Sequence, residues 1–333
     1  MSALSPSVPN NACSIVWFRD DLRIADNPAL DAAVRRGQPV VAVYVLDETS
    51  TGIRPLGGAA RWWLHHSLEG LQQSLNELGI PLVLRQGAAV VVLNDLAEST
   101  GAAAVTWNRR YAAAEIAVDT AVKAALVKSG VAVESFAGHL LHEPWTLKPA
   151  SGPYYKVFTA FWKAARRSGP ARRPLPAPKR LNRTGTNIPS DALDDWQLLP
   201  RQPDWSGRMA ETWKPGENGA RERLDRFLDQ SISGYTNLRD RPDHAATSML
   251  SPHLRFGEIS PYQVWYSALA HGDDSGVDKF LSEIGWREFS WHLLFHNPGL
   301  ASSNLNPTFD RFPWRDDSVG LTAWQRGRTG FPI

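Results

Sequence analysis

The chain has 333 residues, 43% of them hydrophobic and 21% charged, with a formal net charge of +2. That is an ordinary globular balance and excludes a polycation. A single core stops growing at roughly 250–300 residues, so the length implies about two domains. The one cysteine, Cys13, excludes an internal disulfide and a cysteine-built metal site. No metal is expected.

The polar stretch Met1–Asn11 lacks the basic start and apolar core of a secretory signal. No apolar run reaches the ~18 residues needed to cross a bilayer. The expectation is a reduced, cytoplasmic, monomeric protein with no membrane association and no obligate protein partner. Charge is uneven: from Lys163 to Arg183 run eight basic residues (Lys163, Arg166, Arg167, Arg172, Arg173, Lys179, Arg180, Arg183) and no acid. Such a block attracts a phosphate backbone, but the interleaved prolines equally fit a solvated linker. Of the 14 tryptophans, five lie between Trp265 and Trp324, a density that suits a packed core, a base-binding pocket or an electron-hopping path.

Residues 13–140 alternate β-rich runs (Cys13–Phe18, Val40–Leu46, Pro81–Arg85, Ala103–Trp107, Val131–Phe136) with helical patterns. Leu64, Leu68, Leu71, Leu75 and Leu78 recur at spacings of four and three, the stripe of an amphipathic helix. Tyr111–Lys128 reads as a second helix, and Asn27-Pro28 as a helix start. Parallel strands need crossovers, so five such runs predict a parallel five-stranded α/β sheet over residues 1–140. Neither G-x-G-x-x-G nor G-x-x-x-x-G-K-[ST] is present, which disfavours a dehydrogenase or P-loop enzyme.

Residues 141–205 are rich in Pro and Gly and read as a connector, interrupted by ordered pieces at Leu141–Leu147 and Tyr154–Ala165. Residues 206–333 turn helical. Ser251-Pro252 and Ser260-Pro261 each place an N-cap residue before a first-turn proline, and Asp278–His296 is apolar on most sides, as a buried helix is.

Five segments, in order, resemble the cryptochrome/photolyase family: Ile15–Arg23 with Asp26, Asn27 and Leu30; Tyr154–Trp162; Tyr235, Arg239-Asp240, Pro242 and Thr247–Pro252 with Leu254, Gly257 and Ser260-Pro261; Phe280–Glu283 with Trp286–Phe289; and Phe312-Pro313-Trp314 with Trp324, Gly327, Thr329-Gly330 and Pro332. Glu288-Phe289, His292–His296 and Phe309–Trp314 are most similar to microbial class I cyclobutane pyrimidine dimer photolyases. The resemblance implies an α/β antenna-type domain followed by an all-α flavin-binding domain. It also implies light-driven repair of UV-damaged DNA, in which reduced FAD lends an electron to the cyclobutane ring. Tyr235, Thr247, Ser248, Met249, Leu250 and Ser251 would then hold FAD, with Phe280 and Arg287 beside it. Glu283 would hydrogen-bond the flipped lesion and Trp286 stack on it, Arg239 and Lys156 would meet the DNA backbone, and Trp314 would be the outer member of a tryptophan chain that rereduces the flavin.

Read without the resemblance, Ser251 is a plain helix cap, and Glu283 and Arg287 are an i, i+4 surface pair worth a few tenths of a kcal/mol. A second, light-harvesting chromophore, a folate or a deazaflavin, would sit in the α/β domain. Asn108–Tyr111 follow a strand end, where α/β ligands bind, or form a simple loop. In the family the Thr329–Pro332 motif opens a further helix, so the chain is expected to be a C-terminally truncated form with its flavin site open on one side. A cryptochrome-type photoreceptor, a non-catalytic α/β nucleotide-binding protein and a salt-sensitive DNA binder acting through the basic linker are the alternatives.

Overall fold

The structure, a computed structural model, describes residues 12–181, 188–272 and 275–331. Met1–Asn11, Arg183 at the end of the basic block and Pro332 lie outside the described residues. The chain forms two compact units, Met1–His296 and Asn297–Ile333.

The first unit begins with the expected sheet: β1 (Ser14–Phe18), α1 (Pro28–Arg35), β2 (Val40–Leu46), α2 (Gly58–Leu78), β3 (Leu82–Gln86), α3 (Ala89–Thr100), β4 (Ala104–Asn108), α4 (Ala113–Lys128) and β5 (Ala132–Phe136). All pairings are parallel and the spatial order is β3-β2-β1-β4-β5. Val16 lies opposite both Ala42 and Thr106. Successive side chains point to opposite faces: Val16, Phe18 and Ala42 join the leucine stripe of α2 and Leu30 of α1 in one core. Ile15, Trp17, Val41 and Val43 join Leu93, Leu96, Val118, Val122 and Leu126 of α3 and α4 in the other, together with the free, buried Cys13. Asn27 caps α1 by accepting from the Leu30 amide at 3.1 Å.

The connector contributes α5 (Phe158–Ser168), whose Phe161 and Ala165 are buried. Then come α6 (Gly207–Thr212), α7 (Glu217–Gln230), α8 (Tyr235–Leu238), α9 (Ser251–Arg255), α10 (Pro261–His271) and α11 (Ser275–His296). Leu224, Phe227, Tyr262, Trp265, Phe280, Leu281 and Ile284 form their common core. Ser260 caps α10 in a reciprocal box with Gln263, at 3.0 and 2.8 Å. Ser251 does not cap α9: Leu250 already has helical angles, so Ser251 is the first residue inside the helix. No described helix is long and apolar enough to cross a membrane.

The sheet and the helices are joined through the loop after β1. The buried guanidinium of Arg23 donates to the carbonyls of Asp26, Gly138 and Gly257, each at 2.8 Å. Asp26 accepts from the Leu175 amide at 2.9 Å and from the side chains of Arg172 and Ser260. Gly257 has φ +66, and a Cβ there would lie 1.9 Å from the Asp20 carbonyl oxygen. A second junction is Glu258, fully buried, which accepts from Trp63 Nε1 at 2.9 Å and Gly216 N at 2.7 Å, from the Ser67 hydroxyl, and pairs with the His253 ring.

The second unit carries a 3-10 turn, Pro307–Arg311, and α12 (Ser318–Gln325), capped by Asp317. Within it Trp314 Nε1 donates to the Phe309 carbonyl at 3.3 Å, and its ring centroid lies 4.6 Å from that of Phe312.

Lysine cannot reproduce the planar fork that reaches three carbonyls. Arg23→Lys is therefore expected to lower unfolding free energy by about 2–4 kcal/mol, read by urea denaturation. An unchanged midpoint would show that the clasp contributes nothing.

Candidate active site

A cavity of about 590 Å³ opens in the helical part of the first unit, lined by α8, the segment before α9, and one face of α11. Tyr235, Thr247, Ser248, Met249, Leu250, Ser251, Phe280, Glu283 and Arg287 all line it, so nine sequence-singled residues drawn from three separate segments meet. Tyr235 and Phe280 are buried and meet edge to face at 5.7 Å, with Phe227 packed on both. Burial raises the Tyr235 hydroxyl's pKa. Met249 sits at φ +51, a left-handed angle uncommon for such a side chain. It brings Thr247 and Ser248 onto the same rim as Ser251, and none of the three hydroxyls is engaged by another described residue.

Arg287 does not pair with Glu283. Its guanidinium donates to the His139 carbonyl and to His139 Nε2, both at 2.9 Å. Burial, and then the Arg287 charge, hold His139 well below the ordinary histidine range, so the ring stays neutral and able to accept. Burial likewise lowers Arg287, against the opposing pull of Glu288. Glu283 instead takes the guanidinium of Arg239, with Lys279 at 3.5 Å. Arg239 therefore reaches the site as the partner of Glu283.

Trp286 is not among the lining residues. Phe280, Glu283, Ile284, Arg287 and Trp291 share one helical face, and Trp286 stands roughly 110° round from its centre. Its ring stacks on Phe158 of α5 (3.7 Å, 9°), which stacks on Trp162 (6.2 Å, 10°), and 45% of it remains exposed. Gly285 permits this packing, since a Cβ there would lie 2.4 Å from the Trp162 ring. Lys156 is exposed beside the Tyr154 ring, 5.6 Å from its centroid. Trp314 belongs to the second unit.

Five further lining residues had no site role in the sequence reading: His139, Leu254, Arg255, Ile284 and Trp291. Ile284 and Trp291 were findable from the α11 spacing, but His139 lies 148 residues from its partner and carries no local signal. Asn108–Tyr111 are internally engaged: Asn108 with Asp21 (2.6 Å) and Asn27 (2.9 Å), Arg109 and Tyr111 with Glu143, and Arg110 with Asp119. Of the basic block, Arg166 pairs with Asp278 at 2.6 Å and Arg172 with Asp26.

Residues 14–179 match the family described as DNA photolyase, and residues 280–333 the FAD binding domain of DNA photolyase. The chain is 48% identical to a deoxyribodipyrimidine photo-lyase of Agrobacterium fabrum, over 96% of this chain and 67% of that protein. It is 34% identical to cryptochrome-1 of Arabidopsis thaliana, over its full length but only 50% of that protein. A crystal structure described as a bacterial class III photolyase from Agrobacterium tumefaciens superposes with a TM-score of 0.91 at 46% identity, covering 98% of this chain and 67% of that one. The cavity's own chemistry fits a flavin dinucleotide: free hydroxyls at one rim suit phosphate and ribityl oxygens, and Tyr235, Phe280, Leu254 and Ile284 offer an apolar wall to a ring system.

Beneath Arg287, burial pushes the Glu288 carboxyl up to about 7, despite Arg287 and the His142 amide at 3.1 Å. Folded protein thus holds a proton here that unfolded protein releases near pH 4.5, and stability is lost as pH rises from there through about 7. The nearby His292, lowered by burial and then His296 to about 4, acts with the opposite slope. Glu288→Gln removes only the first effect. Its stability relative to the parent should climb by on the order of 3 kcal/mol across that window, read by urea unfolding at both ends. A pH-independent difference would place the proton elsewhere.

Proposed function

The chain belongs to the photolyase/cryptochrome family, and from that premise we propose that it acts in light-dependent repair of cyclobutane pyrimidine dimers in DNA. The observation that carries this reading is the convergence of Glu283 and Arg287 with Tyr235 and the Thr247–Ser251 rim on one cavity. In this reading residues 1–140 are the antenna-type domain, 141–205 the connector and 206–333 the flavin-binding domain. The 48% identical relative carries the photo-lyase name, and the class III description of the 46% identical structure favours that class over class I.

FAD, when bound, supplies the light-excited electron donor. The protein's work is to hold it and to present the lesion. Thr247, Ser248 and Ser251 bind its phosphate and ribityl oxygens. Tyr235 and Phe280 exclude water from one side, and Arg287, fixed by His139, holds a positive charge at the floor. A dimer inside a duplex is out of reach of a cavity and must be flipped out. Exposed Trp286, already backed by Phe158, offers a stacking surface worth about 1–3 kcal/mol per base. DNA phosphates draw Arg239 away from Glu283 and free that carboxylate for the lesion's N–H groups, while Lys156 adds backbone attraction. Trp314 supplies a surface electron in the same reading.

The test is irradiation of the purified chain, supplied with FAD and reductant, together with an oligothymidylate carrying cyclobutane dimers. Light-dependent recovery of pyrimidine absorbance is the expected outcome. Flavin binding and photoreduction without any recovery would favour the photoreceptor reading, which the 34% identity to cryptochrome-1 supports. Failure to bind flavin at all would remove the cavity assignment.

Two variants refine it. Glu283→Gln should weaken binding of dimer-bearing over undamaged DNA by on the order of tenfold, as the loss of one charge-assisted hydrogen bond does. Arg239→Ala should weaken both DNAs alike and lower the salt slope by about one. Filter binding at several salt concentrations separates the two, and equal effects on damaged and undamaged DNA from Glu283→Gln would remove it from the lesion.

A further inference from the structure

Outside the cavity, α2 holds a group of side chains, partly buried and partly exposed, that repair does not use. His65 and His66 stand four and three residues before Glu69, the spacings that bring helical side chains together. His66 Nδ1 lies 2.7 Å from one Glu69 carboxylate oxygen and His65 Nε2 3.5 Å from the other. One nitrogen of each ring and a Glu69 oxygen all fall within 4.8 Å of one another.

His65 is not a satisfied core histidine. It is 4% exposed, and its enclosed Nδ1 meets no hydrogen-bond partner among the described residues. Its Nε2 faces Glu69 at a distance too long for a good hydrogen bond. Nε2, the nitrogen turned toward Glu69, is the ring atom open to a further ligand, and Nδ1 then carries the ring proton. Burial lowers its pKa against the pull of Glu69 and Asp194 and with the push of His66, which keeps the ring neutral and its lone pair available. Trp62 packs edge-on against His66 at 4.7 Å and fixes that ring. Glu69 is half exposed and opens onto a surface hollow of about 460 Å³ shared with Gln73 and Glu77, so the site has an entry path.

We propose that His65, His66 and Glu69 form a binding site for a divalent transition metal ion, with Zn²⁺ the reference ion. Metal–ligand bonds of about 2.0–2.1 Å require neighbouring ligand atoms roughly 3.3 Å apart. Rotamer adjustments of about an ångström bring the three atoms there, His66 takes the tautomer with its proton on Nε2 so that Nδ1 is free to ligate, and water completes the sphere. Two imidazoles and one carboxylate select Zn²⁺, Cu²⁺, Ni²⁺ or Co²⁺ over Mg²⁺ and Ca²⁺.

Calorimetric titration of the untagged, chelator-stripped chain with zinc chloride should show one equivalent bound with a micromolar Kd, with proton release that grows at lower pH. His66→Gln and Glu69→Gln, both at partly exposed positions, should each weaken that binding about tenfold or more while circular dichroism stays unchanged. Cu²⁺ should quench Trp62 fluorescence in the parent and not in His66→Gln. Absence of a stoichiometric event, or parent-like affinity in both glutamine variants, overturns the proposal. A variant that loses its fold is replaced by the other, since either alone decides the point.

Discussion

One buried guanidinium ties the sheet of the first unit to its helices. Arg23 leaves β1's loop with nowhere to find water, and its N–H groups are satisfied by carbonyls of Asp26, Gly138 and Gly257. Those three lie in the sheet's own loop, at the end of β5's exit and in the helical part, so a single planar cation fixes three stretches of chain distant in sequence. Asp26 extends the clasp to Arg172, Leu175 and the cap of α10. Exposed ion pairs contribute little. A buried guanidinium held by backbone carbonyls imposes geometry, because moving it away leaves its donors unpaired.

The cavity inherits its shape from that junction. Gly257 lies directly against the Asp20 backbone, which sets where α9 ends, and α9 begins at the rim that carries Thr247–Ser251. Glu258, next in sequence, gathers Trp63 and Ser67 of α2 with Gly216 and His253, and so ties the helices to the sheet's covering layer. His139, immediately after the Gly138 carbonyl that Arg23 holds, is thereby delivered to Arg287. The same residues that join the two halves thus orient the charged floor of the site.

α11 divides its labour by face. Phe280, Ile284, Arg287 and Trp291 look into the cavity, whereas Gly285 and Trp286 look toward α5, where Phe158 and Trp162 stack. The relation between Glu283 and Trp286 follows from this: they are neighbours on the helix, but one ends beside Arg239 and the other on an aromatic platform.

Much of this is legible in the sequence. Five β-rich runs separated by helical patterns imply a parallel sheet, since parallel strands need crossovers, and Asn27-Pro28 and Ser260-Pro261 mark helix starts because cap and first-turn chemistry are local. The cavity-lining residues from Tyr235 to Arg287 were legible through the family's segments, and Ile284 and Trp291 lay in plain periodicity. Tertiary structure alone decided the rest. Ser251 lost its capping role because Leu250 had already turned helical. Arg287 left Glu283 for His139, because a buried guanidinium takes the nearest carbonyl and neutral ring nitrogen rather than an i, i+4 neighbour already held by Arg239. Sequence spacing fixes which side chains share a helix face, but which partner each one meets depends on what the rest of the chain packs against that face.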